Sequence, residues 1–258
     1  MARHRPHEKD EGDVLSISAV LPAFNEEQVI AASVAATVKT LESFGADYEV
    51  IVVNDGSRDR TAEIVTRLGN ENPRVRLVSH ASNQGYGAAV WTGFMSAVKD
   101  LVFLTDGDKQ FDVDELRLLL PMMDGADMAI GYRQKRADPP LRLLNAWGWK
   151  LLVNSLFGYT ARDIDCAFKL FRRRILDRVQ VHSRGATFSA EFLIKARRLG
   201  YVIRERGVSH YPRPAGQATG AKPAVIIRAF RELWQLRLGL EADLARTAQS
   251  RAPTRTGV

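Results

Sequence analysis

The sequence predicts an α/β fold, a mostly parallel sheet flanked by helices, and three observations predict it. Short apolar runs of strand length begin near residues 14, 48, 75, 101 and 127. Stretches with apolar residues at helical spacing separate them. Four of the runs pass directly into polar or Gly-rich turns, which a repeated β-α unit brings to one edge of the sheet.

Residues 14–21 form the first strand, followed by Pro22 and a loop in which Asn25 is placed to cap a helix, with Glu26 and Glu27 in its first turn. Ile30, Val34, Val38 and Leu41 give that helix its inner face, and Gly45 closes it. Residues 48–53, rich in β-branched side chains, make the second strand and end in Asn54-Asp55-Gly56-Ser57. A helix over 59–68 points Ile64, Val65 and Leu68 inward, with Gly69 after it. The third strand, 75–79, leads into Asn83-Gln84-Gly85-Tyr86-Gly87 and a helix carrying Val90, Phe94 and Val98. The fourth, 101–104, is continuously apolar, as a strand buried on both faces would be, and runs into Asp106-Gly107-Asp108. A helix over 112–123 and a strand over 127–132 complete the series.

With 258 residues, 45% of them apolar and 26% charged, the chain has the composition of a globular protein with a sizeable core. The 37 Lys and Arg against 30 Asp and Glu give a net charge of +7, which suits an anionic partner. Those basic residues are spread along the chain rather than gathered with a reading motif, which argues against nucleic acid. The lone Cys166 excludes an internal disulfide and reads as a small buried residue. No window approaches the roughly 18 uninterrupted apolar residues of a transmembrane helix, so any membrane contact is expected to be peripheral.

Chemistry is expected at the strand ends, because ligands of open α/β sheets bind there. Asp106 and Asp108, one residue apart on a turn tightened by Gly107, offer hard oxygen ligands that can present a divalent cation to phosphates. A dinucleotide-dependent oxidoreductase would carry Gly-x-Gly-x-x-Gly after its first strand. Here that position reads Pro22-Ala23-Phe24-Asn25-Glu26, which sets the nicotinamide reading aside.

Four stretches in this order carry a resemblance: Leu21-Pro22-Ala23-Phe24-Asn25-Glu26-Glu27, the run from Val52 to Thr61, Asn83 to Gly87, and Thr105-Asp106-Gly107-Asp108-Lys109-Gln110. They resemble the family-2 inverting glycosyltransferases of GT-A (Rossmann-like) fold, and within them the dolichol- or polyprenyl-phosphate sugar synthases. The resemblance implies a nucleotide diphosphate sugar donor (GDP- or UDP-hexose, mannose or glucose) and Mg or Mn held by Asp106 and Asp108. It implies that Pro22, Phe24, Glu26 and Asp55 wall and bond the nucleoside, with Asn54 standing where an aspartate is more usual. Gln110 and Lys169 are implied among the substrate-binding residues, and Arg133 and Arg142 near the phosphates and acceptor. The segment from Asp163 to Arg173 resembles the family's stretch after the sheet. His210-Tyr211-Pro212-Arg213-Pro214-Ala215-Gly216 resembles its acceptor loop, from which Arg213 joins Asp106, Asp108 and Arg133 as a catalytic candidate.

A hydroxyl acceptor needs a base, and hydroxyl-acceptor relatives place an aspartate where this chain reads Thr187-Phe188-Ser189-Ala190-Glu191-Phe192. Asp163, Asp165 and Glu191 are the carboxylates that remain for that role. A lipid phosphate is already ionised and needs only cations, so a polyprenyl phosphate is the expected acceptor. The helical stretch 141–157, with Trp147 and Trp149, and a C-terminal one with Phe230, Leu233, Trp234, Leu236 and Leu238 among arginines are amphipathic. They suit a membrane surface on the cytoplasmic face and would equally suit a homodimer. The expected organisation is a disordered tail over 1–13, the transferase domain over 14–219, an amphipathic helix over 220–246 and a second tail over 247–258. The rival readings are the same fold acting on a sugar hydroxyl, and a non-catalytic basic membrane-adaptor or nucleic-acid-binding protein.

Overall fold

The computed structural model describes residues 14–134, 140–213 and 223–249. The tail expected over 1–13 and the part of the acceptor loop beyond Arg213 lie outside them. Strands β1 (Ser16–Ala23), β2 (Asp47–Asn54), β3 (Val75–Ser79), β4 (Leu101–Leu104), β5 (Met128–Arg133), β6 (Lys169–Arg172) and β7 (Ile203–Val208) form one sheet in the order β3-β2-β1-β4-β6-β5-β7. Only β6 is antiparallel to its neighbours, β4 and β5. Helices α1 (Ile30–Ser43), α2 (Thr61–Glu71) and the single turn α4 (Leu116–Leu119) line one face of the sheet; α3 (Tyr86–Ser96), α5 (Pro140–Phe157), α6 (Phe188–Arg198) and α7 (Pro223–Gln249) line the other.

Strand alternation splits the core in two. In β1, Ile17, Ala19 and Leu21 point to the α1 face and Val20 to the α3 face; in β4, Phe103 and Leu104 divide in the same way. On the α3 face, Phe94 meets Phe171 edge-on at 4.8 Å and Phe192 at 5.4 Å, which locks α3, β6 and α6 together. Gly93 lets α3 approach β1 closely: a Cβ there would fall 2.2 Å from Val20 Cγ1. Glu49, buried in β2, is satisfied by Ser18 Oγ at 2.6 Å, Val98 N at 2.9 Å and the Arg76 guanidinium at 2.6 Å.

Several local expectations are corrected. Asn25 does not cap a helix. It takes a left-handed conformation (φ 57°), its Oδ1 accepts from Arg58 N at 2.8 Å, and α1 begins five residues later. Gly69 does not end α2, which continues to Glu71. Val98 lies beyond the end of α3 and is exposed. The helix expected over 112–123 is a 3-10 turn, the single turn α4 and a second 3-10 turn, because Pro121 has no N–H to continue an α-helix. Strands β6 and β7 were not expected. Helix α7 runs to Gln249, so 247–249 are helical where the second tail was expected to start.

Candidate active site

Strand β1 sits between β2 and β4, and the chain crosses from β3 back to β4, so its direction of travel reverses between β1 and β4. The carboxyl ends of these two strands carry the candidate residues. Pro22 is buried in β1, in register with Val53, and half-buried Phe24 follows the strand. The turn after β4 is held from outside, since Ser33 Oγ of α1 donates to Gly107 O at 2.7 Å. A Cβ on Gly107 would come within 3.1 Å of Ile30 Cδ1, so the turn lies tight against α1.

The loop after β1 is stitched to the loop after β2. Asn25 N donates to Ser57 Oγ at 2.9 Å, Glu26 N to Thr61 Oγ1 at 2.9 Å and Glu27 N to Asp59 Oδ2 at 3.0 Å. Asp55, expected to bond the nucleoside, is largely engaged by the protein. Its Oδ1 accepts from Gln84 N at 2.8 Å and meets His80 Nδ1 at 2.7 Å, and its Oδ2 accepts from Gly85 N at 2.9 Å. The Asp55 carboxylate thereby brackets the β3–α3 loop against the end of β2. His80 completes the bracket through Thr92 Oγ1 at 2.9 Å. Sequence reasoning missed His80, although it stands directly after β3, where the other strand ends carry polar groups. Asn54 is buried, and its Oδ1 accepts from Ser57 N at 3.0 Å.

Three of the expected residues converge on one point. Arg213 Nη2 donates to Asp108 Oδ2 at 2.6 Å and Arg213 Nη1 reaches Glu26 Oε1 at 3.4 Å. Gln110 holds this arrangement: Tyr211 N donates to Gln110 O at 2.8 Å and Gln110 Nε2 to Tyr211 O at 3.1 Å, beside the bridge between Phe111 and His210. Tyr86, at the start of α3, acts on Asp106, a neighbour sequence reasoning also missed. Burial and the adjacent Asp108 push Asp106 up to about 7, against the pull of Tyr86 and Arg213. Burial likewise pushes Glu26 up to about 7, opposed by Arg213 and reinforced by Asp108 and Asp59. Glu26 Oε2 is buried without a hydrogen-bond partner.

These donors fit a hard divalent cation. Asp108 and Glu26 share the Arg213 guanidinium, Glu26 Oε2 is buried and unsatisfied, and Asp106 stands two residues from Asp108, so the hard oxygen donors such an ion takes are present on this turn and beside it. Among the described residues the group of three whose ligand atoms lie within 4.8 Å of one another is His182, Glu191 and Asp243, away from the β4 turn, and it already has its cation: Lys195 Nζ lies 2.7 Å from Glu191 Oε1 and 2.9 Å from Asp243 Oδ2.

The remaining candidates fall elsewhere. Arg133, at the end of β5, is forked onto Asp163, with Nε 2.7 Å from Oδ2 and Nη2 2.8 Å from Oδ1. Lys169 is buried in β6, and its ammonium donates to the carbonyls of Cys166 and Ile164, so the expectation of direct substrate contact gives way to a supporting position. Burial lowers its pKa, and its charge is felt at Asp106. Glu191 is closed to base catalysis. It accepts from His182 N and Ser183 N and pairs with Lys195, and these contacts outweigh burial to hold its carboxyl below its ordinary range. Cys166 is buried, and burial pushes its thiol up to about 12. Arg142 belongs to α5, with its side chain outside the described residues.

Comparison with known proteins sets this geometry in context. The model of the family described as Glycosyl transferase family 2 matches residues 18–180. A dolichyl-phosphate beta-glucosyltransferase (ALG5C) of Trichomonas vaginalis is 33% identical over 171 residues, covering 60% of this chain and 51% of that protein. An undecaprenyl-phosphate 4-deoxy-4-formamido-L-arabinose transferase of Pectobacterium atrosepticum is 30% identical over 167 residues, covering 64% and 51%. The chain thus spans about half the length of these relatives. Glucosyl-3-phosphoglycerate synthase of Mycobacterium tuberculosis, solved with Mn2+, UDP-glucose and phosphoglyceric acid, superposes with a TM-score of 0.69 at 20% identity, covering 92% of this chain and 86% of that one. This likeness shows that the sheet is of the GT-A, Rossmann-like kind.

Proposed function

Because the chain belongs to glycosyl transferase family 2, we propose that it transfers a hexose, with inversion, from a nucleoside diphosphate sugar to a polyprenyl phosphate. The observation that carries this reading is the Asp106-Gly107-Asp108 turn at the β1/β4 reversal, with Arg213 drawn onto Asp108 from more than 100 residues away. The names of the curated relatives support a polyprenyl-phosphate acceptor. The bound UDP-glucose and Mn2+ of the structural relative make that donor and that ion the first to test, ahead of a GDP-hexose or Mg2+.

The transfer is a single displacement. An acceptor oxygen attacks the anomeric carbon, the bond from that carbon to the diphosphate breaks, and its electron pair leaves with the phosphate oxygen. Asp106 and Asp108 would hold a divalent ion, which supplies positive charge at the leaving diphosphate. Arg213, on the same carboxylate edge, adds a second positive group to that charge. In this reading Pro22 and Phe24 serve the nucleoside end, where Asp55 braces the β3–α3 loop, Glu26 stands between that end and the ion, Gln110 pins the Arg213 segment, and Arg133 serves the acceptor side. A phosphate monoester, with a second pKa of about 6, attacks as an anion and gives up no proton. The state of two of the three candidate bases supports that choice: Asp163 is held in the Arg133 fork and Glu191 is buried in its ion pair.

No helix of the described residues is long and apolar enough to cross a membrane. Trp147 and Leu151 of α5 and Phe230, Trp234 and Leu238 of α7 are exposed, with Arg231 and Arg237 beside them, which supports seating at the cytoplasmic face of an anionic bilayer. Incubation with labelled UDP-glucose, Mn2+ and polyprenyl phosphate tests the function. Label is expected in the organic phase as a lipid-linked sugar. Label found only in water-soluble glycan would favour the hydroxyl-acceptor rival and overturn the proposal.

A further inference from the structure

Beyond the end of β5 the fold leaves a cavity of about 590 Å³. This is a usual size for a ligand pocket, which spans roughly 300–1,000 Å³. The end of β5 forms one side through Tyr132 and Arg133, the segment 162–165 a second, and α5 a third through Trp147, Trp149 and Lys150. Strand β6 connects the cavity side to the β4 turn: Lys169 is in register with Leu104, just before that turn, and with Ile130 of β5, whose end lines the cavity.

Its lining has a charged part, in which Arg133, Lys150 and Arg162 outnumber Asp163 and Asp165, and an apolar part. Arg133 is largely neutralised by the fork to Asp163. Arg162 and Lys150 are not: neither has a carboxylate partner for its side chain among the described residues, and Arg162 instead lies over the Tyr132 ring, 4.0 Å from its centroid. A guanidinium laid flat on a ring keeps its N–H groups at the edge, where they can meet an oxyanion. On the apolar side, Trp149 meets Phe230 of α7 edge-on at 6.5 Å. From Phe230 an exposed stripe continues along α7 through Trp234 and Leu238, at intervals of four residues and so on one helix face. A small phosphorylated acid would use the cations and leave that stripe idle; an amphiphile would use both.

We infer that this cavity is the acceptor subsite for an isoprenoid phosphate. Its phosphate lies between Lys150 and Arg162, and its first isoprene units lie against Trp147 and Trp149 before the chain passes onto the Phe230 stripe. The inference rests on the transferase reading for its ligand. It moves the acceptor grip from Arg133, which the resemblance implied, to two residues that it did not. Lys150 and Arg162 are therefore specificity-determining residues for the acceptor.

Direct binding tests it without catalysis. Tryptophan fluorescence of the full chain is titrated with farnesyl phosphate, farnesol, 3-phosphoglycerate and inorganic phosphate. Wild type is expected to bind farnesyl phosphate at least about tenfold more tightly than the other three, since a charge-assisted hydrogen bond and an apolar seat each contribute about a decade. The double variant Lys150→Gln/Arg162→Gln is expected to lose about tenfold or more for farnesyl phosphate, while its thermal shift with UDP and Mn2+ stays at the wild-type value. Unchanged farnesyl phosphate affinity in that variant, or equal wild-type affinity for 3-phosphoglycerate or farnesol, overturns the inference. Sugar transfer is scored separately. Farnesyl phosphate bound through Lys150 and Arg162 but never glycosylated by any donor would leave the subsite standing and sink the transferase reading; glycosylated lipid phosphate with no effect of the double variant would do the reverse.

Discussion

Arg213 and the two carboxylates it touches set the electrostatics of the site. Asp108 Oδ2, 2.6 Å from Nη2, is compensated, whereas Glu26, with one oxygen 3.4 Å from Nη1 and the other unpartnered, is not. Burial therefore dominates at Glu26 and holds it at about 7 instead of its ordinary 4.5. Between those values the folded protein binds a proton that the unfolded chain has released, so stability from this group is full below about 4.5 and is lost as pH rises through about 7. Thermal melts of the metal-free protein from about pH 5 to about pH 8 are expected to show a falling midpoint, and Glu26→Gln is expected to flatten the slope; an unchanged slope would mean that Glu26 is ionised throughout. At this scale the sequence was partly legible. Asp106 and Asp108 stood out because an apolar run ended on them. The placement of Arg213 on Asp108, the His80 bracket and the influence of Tyr86 on Asp106 depend on contacts between distant segments, which no local spacing encodes.

Among the elements, the first four strands were readable because each is a short apolar run with alternate residues serving two core faces. Strand β7 was hidden because Arg204, Glu205 and Arg206 make it look like a surface loop. As an edge strand it needs only its backbone for pairing with β5, and Glu205 finds the Tyr159 hydroxyl at 2.6 Å and Arg162 N at 2.7 Å. Strand β6 is four residues long, two of them charged, and is recognisable only through its place between β4 and β5. The approach of α3 to β1 controls how the β3–α3 loop meets Asp55. Gly93→Ala would press a methyl onto Val20 and Val53 and is expected to lower stability by about 1–3 kcal/mol, read from denaturant midpoints at constant slope. A loss below about 0.5 kcal/mol would show that the helix shifts freely on the sheet.

Over the whole molecule, the 590 Å³ cavity is lined by Trp147 and Trp149 of α5, Trp149 meets Phe230 of α7, and exposed Trp and Leu residues of both helices continue to the outer surface. In the proposed function the sugar nucleotide would sit at the β1/β4 reversal and the lipid would come from the side of α5 and α7. Vesicles of anionic lipid test the outer end: wild type is expected to co-sediment with them, the more weakly the higher the salt, and Phe230→Ala/Trp234→Ala to remain in the supernatant. Binding that survives the double substitution would assign the membrane contact to another face. Composition and helical spacing made these two helices visible in the sequence, whereas the cavity between α5 and segment 162–165 needed the fold.

The proposed transfer depends most directly on the β4 turn holding the metal and the diphosphate. Titration of UDP into the protein, with and without Mn2+, measures that assignment by calorimetry. In wild type, Mn2+ is expected to tighten UDP binding by about tenfold or more, and Asp108→Asn is expected to abolish the Mn2+ effect while the protein keeps its fold and its melting transition. A Mn2+ effect of equal size in Asp108→Asn, or UDP binding indifferent to Mn2+ in wild type, would contradict it.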